Sequence, residues 1–256
     1  MTEQRDSRQR VEDVVARAEK VLATRPDVSK LEANPVGRLA LTGMIDHTLL
    51  KPEATPAMVE QLCAEAAEYH FASVCVNPVY VGRCAAALEG ASVAVCSVAG
   101  FPLGTNVSEI KALEAARAIE DGATEIDIVM NVGALKAADY ALVSDDIAAV
   151  AQVCADGCAK LKVILETCLL DDLEKTVASL LAVEAGADYV KTSTGMNAGG
   201  ATVEDVALMR HAVGPDIGVK AAGGIRTYEQ AIAMVAAGAT RLGASAGIAI
   251  VRGAHE

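Results

Sequence analysis

Hydrophobic and polar positions follow a repeating order along most of the chain. A segment with helical periodicity ends in a Gly-Ala-polar triplet, and a short apolar run rich in β-branched residues follows it. The clear copies of the triplet are Gly90-Ala91-Ser92, Gly122-Ala123-Thr124, Gly186-Ala187-Asp188 and Gly238-Ala239-Thr240. Glycine is preferred just after a helix because it adopts the left-handed backbone conformation freely. The spacing of the copies equals one or two lengths of a strand plus a helix, which predicts a repeated βα unit.

The pattern predicts eight strands and the helices between them. The strands are expected at 44–49, 73–77, 93–98, 125–130, 161–165, 189–192, 218–221 and 241–244. The helices are expected near 57–69, 79–88, 106–120, 139–155, 172–185, 202–213 and 227–237. Thr55 before Pro56 is typical of a helix start, and so is Asn106 with Glu109 three residues later.

Eight alternating units in one chain of 256 residues favour an α/β fold of the (β/α)8 TIM-barrel type. An open doubly wound sheet is the alternative, and it is disfavoured because no Gly-x-Gly-x-x-Gly loop follows the first strand. Residues 5–23 predict an additional amphipathic helix, whose apolar face is Val11, Val14, Val15, Ala18, Val21 and Leu22. Pro26 and Pro35 bracket a linker, so we expect an N-terminal extension over 1–36 and the barrel over 37–256.

Composition narrows the class of protein. Hydrophobic residues make up 52% of the chain and aromatic residues only 3%, which suits a core of small aliphatic side chains. The net charge of −12 argues against nucleic acid or an anionic membrane as a partner. Seven cysteines in no compact framework indicate free thiols in a reducing cytoplasm, and four scattered histidines give no reason to expect a metal site. No apolar run is long enough to predict a transmembrane helix.

Lys191 is the first candidate for chemistry. It stands in Tyr189-Val190-Lys191-Thr192-Ser193-Thr194-Gly195, an apolar run that gives way to small hydroxyl residues and glycine. A charged lysine is costly to bury. Burial would therefore favour the neutral amine, a nucleophile that forms a Schiff base with a carbonyl. The alternative is a lysine whose ammonium group reaches solvent from the strand end.

Lys220 and Asp127 bear on that choice. Lys220 follows Lys191 by 29 residues, one βα unit, so the two lysines hold equivalent places on neighbouring strands. Two ammonium groups inside one apolar barrel cannot both stay protonated at low cost, which favours one neutral amine. Asp127 lies within an apolar strand, where a carboxylate either pairs with a lysine or transfers protons. A structural ion pair explains each residue alone, but it explains poorly all three on three strands.

The carboxyl ends of barrel strands usually carry the chemistry. The polar side chains predicted there are Asp46, His47, Cys75, Asn77, Ser97, Asp127, Asn131, Glu166, Lys191, Thr192, Lys220 and Ser245. The loops Ala221-Ala222-Gly223-Gly224-Ile225 and Gly243-Ala244-Ser245-Ala246-Gly247 contain small residues that let backbone N–H groups face an anion. This favours a phosphate site over tight packing without a ligand.

With these motifs in hand, the chain resembles the deoxyribose-phosphate aldolases, a family of class I aldolases. The matching segments are Ile45–Pro52, Val74–Pro78, Val98–Gly104, Glu125–Asn131, Lys162–Thr167, Val190–Gly195 and Val219–Arg226. They cover about residues 37–252 in order.

The resemblance implies reversible cleavage of 2-deoxy-D-ribose 5-phosphate to D-glyceraldehyde 3-phosphate and acetaldehyde. Lys191 would be the Schiff-base lysine, Lys220 would perturb it and Asp127 would transfer protons. Asp46, Cys75 and Thr192 would support the site, and Gly195, Gly223, Gly224 and Ser245 would bind the phosphate. The implied partners are a sugar phosphate and an aldehyde, with no cofactor or metal, in a cytoplasmic homodimer.

Three departures from the family pattern bear on affinity and proton transfer. The loop after Gly195 reads Met196-Asn197-Ala198-Gly199-Gly200, where an aromatic residue and a threonine are more usual. Ala246 stands where a second serine is often found. The chain ends without the tyrosine that closes the tail of some members. The alternatives are another Schiff-base sugar-phosphate aldolase, a phosphosugar isomerase that uses Asp127 or Glu166, and a barrel that binds sugar phosphate without catalysis.

Overall fold

The computed structural model describes residues 2–34 and 36–254, with side chains from residue 12 onward. The expectations for the Val11 side chain, for Pro35 and for the last two residues, His255 and Glu256, lie outside the described residues. No helix in the described part of the chain is both long and apolar enough to span a membrane.

Eight parallel strands close into a barrel in sequence order, which confirms the predicted fold and excludes the open sheet. The strands are β1 Ile45–Leu49, β2 Ser73–Val76, β3 Ala94–Ala99, β4 Glu125–Val129, β5 Lys160–Ile164, β6 Tyr189–Lys191, β7 Gly218–Ala222 and β8 Arg241–Ala244. Each predicted strand is present, with ends shifted by one residue at most. The barrel closes between β1 and β8, where Asp46 pairs in register with Gly243.

Helices surround the barrel in the predicted order. They are α1 Thr2–Ala23, α2 Arg38–Thr42, α3 Pro56–Tyr69, α4 Val81–Ala87, α5 Ser108–Glu120, α6 Val132–Lys136, α7 Tyr140–Asp156, α8 Asp172–Glu184, α9 Val203–Val213, α10 Tyr228–Ala236 and α11 Gly247–Arg252. The short helices α2, α6 and α11 were not predicted, because five or six residues carry little helical periodicity. The glycines of all four triplets have positive φ, between 80° and 107°, as their place after a helix or helical turn requires.

One of the two predicted helix starts is wrong. Thr55 caps α3 as expected, since its side chain accepts a hydrogen bond from the Met58 N–H. Asn106 does not cap α5, because this helix begins at Ser108 and its N-cap residue is Val107, which has no side-chain acceptor. The buried side chains of α5, including Lys111, fix the helix against the barrel and outweigh the local capping pattern.

The N-terminal helix α1 lies across the outer layer of the barrel, mainly against α8 and also against α9. Val14 and Ala18 are buried there, with 2% and 0% of their surface exposed. Val15 is only partly buried against the core. Arg17 pairs with Glu184 of α8, and Arg25 pairs with Asp172 at 2.9 Å. The predicted apolar face is therefore the face that packs, and ion pairs flank it.

The core is made of the small aliphatic side chains that the composition predicts. The largest fully buried apolar side chains are Phe71, Leu41, Ile45, Ile126, Ile128, Met130, Leu135, Ile147 and Leu161. Among the most buried side chains there are also three lysines, Lys111, Lys162 and Lys220, each 0% exposed. Buried lysines are rare unless they are paired, so the surroundings of these three identify the polar interior of the protein.

Candidate active site

Lys191 is the last residue of β6, and its side chain enters the barrel with 3% of its surface exposed. Lys220 lies directly beside it in the register of β6 and β7. The Nζ atoms of both lysines lie 2.8 Å from the same oxygen, Oδ2 of Asp127. The structure thus brings together the three residues that the sequence predicts as catalytic, and the alternative of a Lys191 side chain that reaches bulk solvent is wrong.

Asp127 is the centre of this arrangement. Its other oxygen, Oδ1, accepts a hydrogen bond from Lys162 Nζ at 2.8 Å, so three ammonium groups surround one carboxylate. Burial would raise the pKa of Asp127, but attraction by Lys162, Lys191 and Lys220 outweighs it and holds that pKa well below the ordinary value. Asp127 is therefore an ionised carboxylate in the free protein.

Lys220 has a second carboxylate partner in Asp46, whose Oδ2 lies 2.5 Å from its Nζ. Burial lowers the pKa of Lys220, but attraction by Asp127 and Asp46 outweighs it and leaves that pKa raised. Burial would likewise raise the pKa of Asp46, yet Lys220, Lys162 and Arg241 hold it below its ordinary value. Lys220 fits this position because Gly243 leaves it room: a Cβ atom there would lie 3.1 Å from Lys220 Cε. Of the two neighbouring lysines, Lys220 is therefore the one that these carboxylates hold as an ammonium group.

The buried cluster of charges also contains Arg241 and Glu125. Arg241 of β8 lies 2.6 Å from Asp46 and 3.1 Å from Glu125. Lys162 lies 2.7 Å from Glu125. The described cluster thus contains four cations, Lys162, Lys191, Lys220 and Arg241, and three carboxylates, Asp46, Glu125 and Asp127. Among these cations Lys191 has the fewest carboxylate contacts, since its one partner oxygen is shared with Lys220.

Sequence reasoning did not assign Lys162 to the site. The sequence does contain a pattern that marks Lys162. It interrupts the apolar run Leu161–Leu165 in the same way as Lys191 interrupts its own strand. Lys162 also pairs in register with Asp127 on the neighbouring strand β4. Adjacent residues at one level of a barrel face the same side, so the position of Asp127 implies that of Lys162.

Cys75 lies next to this cluster, but its thiol is fully buried. Its Sγ, the Sγ of Cys96 and a carboxylate oxygen of Asp127 all lie within 4.8 Å of one another. Three such atoms could hold a metal ion. However, Lys162 Nζ already lies 3.2 Å from Cys96 Sγ and 2.8 Å from Asp127 Oδ1, so an ammonium group holds the position that a metal would take. We assign no metal here.

A cavity of about 380 Å³ opens above Lys191 at the carboxyl ends of β6, β7, β8 and β1. Its lining residues are Thr48, Leu49, Leu50, Lys51, Lys191, Thr194, Gly195, Met196, Ala222, Gly223, Gly224, Ile225, Arg226, Gly243, Ala244 and Ser245. Three of them are cationic and none is acidic, although the whole chain has a net charge of −12. The volume suits a small metabolite, and the charge favours an anion.

The four residues predicted to bind phosphate all line this cavity. Gly223 and Gly224 have φ of +91° and +82°, a conformation that side chains disfavour. Lys51 and Arg226 also line the cavity, and sequence reasoning did not assign either of them. The family motifs include both positions, but only the folded chain shows that they face the same space.

The side chain of Thr192, the residue after β6, forms hydrogen bonds to β7. Its hydroxyl donates to the carbonyl of Ala222 and accepts from the Ala222 N–H, both at 3.0 Å. Gly200, in the loop after Met196, packs directly on Gly223: a Cβ atom at Gly200 would lie 2.3 Å from the Gly223 oxygen. The loop after β6 therefore rests directly on the predicted phosphate loop.

Comparisons with known proteins agree with this geometry. The model of the family described as DeoC/LacD family aldolase matches residues 41–256. A deoxyribose-phosphate aldolase from Brevibacillus brevis is 61% identical over 210 residues, which are 82% of this chain and 94% of that relative. Another from Streptococcus suis is 59% identical over 217 residues, 85% of this chain and 98% of that relative. The solved structure of deoxyribose phosphate aldolase from Aeropyrum pernix, described as a unique tetrameric structure, is 33% identical with a TM-score of 0.80. That comparison covers 94% of this chain and 96% of the other.

Proposed function

The chain belongs to the DeoC/LacD family of aldolases, and we propose that it reversibly cleaves 2-deoxy-D-ribose 5-phosphate to D-glyceraldehyde 3-phosphate and acetaldehyde. The observation that carries this proposal is the position of Lys191. Its amine lies at the floor of a cationic cavity, beside a carboxylate and a second lysine.

In the proposed first half-reaction, the unprotonated Lys191 amine attacks the C1 aldehyde of the open-chain sugar. Loss of water gives an iminium ion, which withdraws electrons from the C2–C3 bond. The iminium serves as the electron sink, so no step calls for a metal or an organic cofactor.

The second half-reaction moves protons. A base takes the proton of the C3 hydroxyl, the C2–C3 bond breaks, and D-glyceraldehyde 3-phosphate leaves. We assign this transfer to Asp127, directly or through water, because its Oδ2 lies 2.8 Å from Lys191 Nζ. Lys220 shares that oxygen and can pass a proton to Asp127. The remaining enamine is protonated at C2, and hydrolysis then releases acetaldehyde and the Lys191 amine.

Substrate orientation follows from the cavity. The glycine loops place backbone at the end of the cavity formed by β7 and β8, and Lys51 and Arg226 add positive charge. A phosphate bound there would direct the sugar carbons toward Lys191. Gly195, Gly223, Gly224 and Ser245 are therefore proposed as phosphate-binding residues, with Asp46, Cys75 and Thr192 in support.

Borohydride trapping tests the central step. We expect 2-deoxy-D-ribose 5-phosphate plus sodium borohydride to inactivate the protein and to leave a reduced adduct on Lys191, mapped by peptide mass spectrometry. Lys191→Ala should form no adduct and lose nearly all cleavage activity. Lys30→Ala, which removes an exposed lysine outside the barrel, should behave like the unmodified protein.

The alternatives predict different results. A phosphosugar isomerase that uses Asp127 or Glu166 would keep much of its activity in Lys191→Ala and would form no adduct. Another Schiff-base aldolase would form the adduct but would turn over phosphorylated ketoses faster than 2-deoxy-D-ribose 5-phosphate. Cleavage that survives Lys191→Ala would contradict the proposal.

We also propose that the protein works as a cytoplasmic homodimer. The seven cysteines are all free thiols, as a reducing compartment requires. A relative is described as tetrameric, which supports self-association of this barrel type without fixing the number of subunits. Light scattering should give about twice the chain mass of 26.3 kDa, and a mass equal to one chain would contradict the dimer.

A further inference from the structure

Glu166 stands out because it is buried, strained and joined to the loop that follows Lys191. Only 2% of its surface is exposed, and its φ is +59°. A residue with a side chain rarely holds this left-handed conformation unless its surroundings enforce it. None of the ion pairs within the described part of the chain involves Glu166, so charge pairing does not explain its position.

Backbone hydrogen bonds explain how the strain arises. The Leu165 N–H donates to the carbonyl of Lys191, and the Thr167 N–H donates to the carbonyl of Thr192. The two donors are two residues apart on the β5 side, but the two acceptors are adjacent on the β6 side. Glu166 is therefore the extra residue of a β-bulge, and bulges near active sites redirect a side chain.

The redirected carboxylate reaches across to Thr194. Oε2 of Glu166 accepts a hydrogen bond from the Thr194 hydroxyl at 2.5 Å, and both carboxylate oxygens lie 3.3 Å from the Thr194 N–H. The Thr194 hydroxyl in turn accepts a hydrogen bond from the Met196 N–H at 3.1 Å. One carboxylate thus fixes the path of the chain from Thr194 to Met196.

This path is one wall of the cavity. Thr194, Gly195 and Met196 line it together with Gly223 and Gly224, whereas Glu166 does not line it. Glu166 therefore has no contact with the space that a substrate would occupy, and any effect on binding passes through Thr194. Thr194 lies three residues beyond the end of β6 at Lys191, so the clamp acts on the loop and leaves the lysine in its strand.

We propose that Glu166 is a positioning residue that sets affinity for the substrate phosphate by clamping the Thr194–Met196 wall of the cavity. The proposal rests on the proposed aldolase function and assigns specificity for phosphorylated over unphosphorylated sugar to this clamp. The chemical step at Lys191 is not part of its role.

The test compares two substrates in Glu166→Gln. The amide keeps the size of the side chain, but it offers one acceptor oxygen where two now face Thr194. We expect KM for 2-deoxy-D-ribose 5-phosphate to rise about tenfold or more, which is about 1.4 kcal/mol of lost binding. The kcat of that substrate and kcat/KM for unphosphorylated 2-deoxy-D-ribose should change less than about threefold.

Matched variants separate the clamp from general damage. Thr194→Val should reproduce the rise in KM, whereas Thr194→Ser, which keeps the hydroxyl, should not. The double variant of Glu166→Gln with Thr194→Val should have a KM no higher than that of the stronger single variant. Glu65→Gln removes a partly buried carboxylate that pairs with His47 outside the cavity, at 2.7 Å, and should leave both substrates unaffected.

Direct binding keeps this proposal separate from the aldolase proposal. Broadening of the ³¹P signal of inorganic phosphate should be weaker with Glu166→Gln than with the unmodified protein. An unchanged KM and unchanged phosphate binding would overturn the clamp, as would equal losses on both substrates. Failure of borohydride trapping at Lys191 would overturn the aldolase chemistry, and the phosphate measurement would still decide the role of Glu166.

Discussion

At the scale of single residues, the carboxylates of the buried cluster are shared unequally among its lysines. In the described part of the barrel, four cations face three carboxylates. Lys220 contacts Asp46 and Asp127, whereas Lys191 contacts Asp127 alone. Lys191 is thus the lysine of this cluster with the fewest carboxylate contacts.

This arrangement predicts a loss of cleavage activity in two variants. Lys220→Met removes the ammonium group that shares Asp127 Oδ2 with Lys191, so cleavage should slow about 100-fold or more, the usual contribution of one acid–base group. Asp46→Asn removes only the second carboxylate partner of Lys220, so cleavage should slow less than in Lys220→Met.

The measurement is kcat for cleavage beside the amount of borohydride-trapped adduct, because the adduct reports the Schiff-base step without carbon–carbon bond cleavage. Circular dichroism checks folding, which should survive in Lys220→Met because Asp46 and Asp127 keep Arg241, Lys162 and Lys191 as partners. Unchanged cleavage in Lys220→Met would show that this lysine takes no part in the reaction.

Only some of the residues in the buried cluster could be predicted from the sequence. A charged residue in an apolar strand is visible without a structure, which is how Lys191, Lys220 and Asp127 could be predicted. The same signal exists for Lys162, but it becomes informative only once the register with Asp127 is known. Arg241 and Glu125 stand at strand starts, where charged residues are common, so nothing in the sequence marks them as buried partners.

At the scale of elements, strands and helices could be predicted from periodicity, but the details of their ends could not. Long apolar repeats average over many positions, whereas a cap or a bulge depends on one or two hydrogen bonds. Asn106 carries the residue types of a cap and lies outside α5. Conversely, two helices begin with reciprocal capping boxes that the sequence pattern did not lead us to predict. These are Asp171 with Glu174 in α8 and Thr227 with Gln230 in α10. Local preference alone does not say which candidate cap the tertiary structure uses.

The bulge at Glu166 is a second local feature that the sequence alone does not predict. The residue could be predicted as a polar group at the end of β5, but its left-handed backbone arises from the mismatch in register with β6. A glycine at this position would suggest a bulge from sequence alone, while a glutamate does not. The sequence therefore gives the location of the residue and the structure gives its partner, Thr194.

At the scale of the whole molecule, the barrel follows from the repeat and the N-terminal extension is an addition to it. The family match begins at residue 41, so α1 lies outside the segment that defines the family. The Brevibacillus relative is matched over 94% of its own length by 210 residues of this chain, which is close to the length of the barrel. The extension contacts the outer helices, and none of the residues lining the cavity belongs to it.

Removal of residues 1–36 should therefore lower stability and leave catalysis unchanged. The truncation exposes the surface of α8 that Val14 and Ala18 cover, and it removes the ion pairs of Arg17 and Arg25. A buried valine contributes about 1.5–3 kcal/mol, and exposed ion pairs add about 0–1 kcal/mol each. Together these contributions predict that the free energy of unfolding falls by about 2–4 kcal/mol and that Tm falls by roughly 5–15 °C.

Calorimetry and steady-state kinetics on the same preparations test this division of roles. Val14→Asp, which places a charge in the buried contact between α1 and α8, should lower Tm without shortening the chain, and kcat and KM should match those of the full chain. Both changes act on the outer face of α8, while Lys191 and the phosphate loops lie at the carboxyl ends of the strands. A truncated protein with unchanged Tm would show that α1 adds no stability. A folded truncated protein with a much lower kcat would show that the extension takes part in the active site.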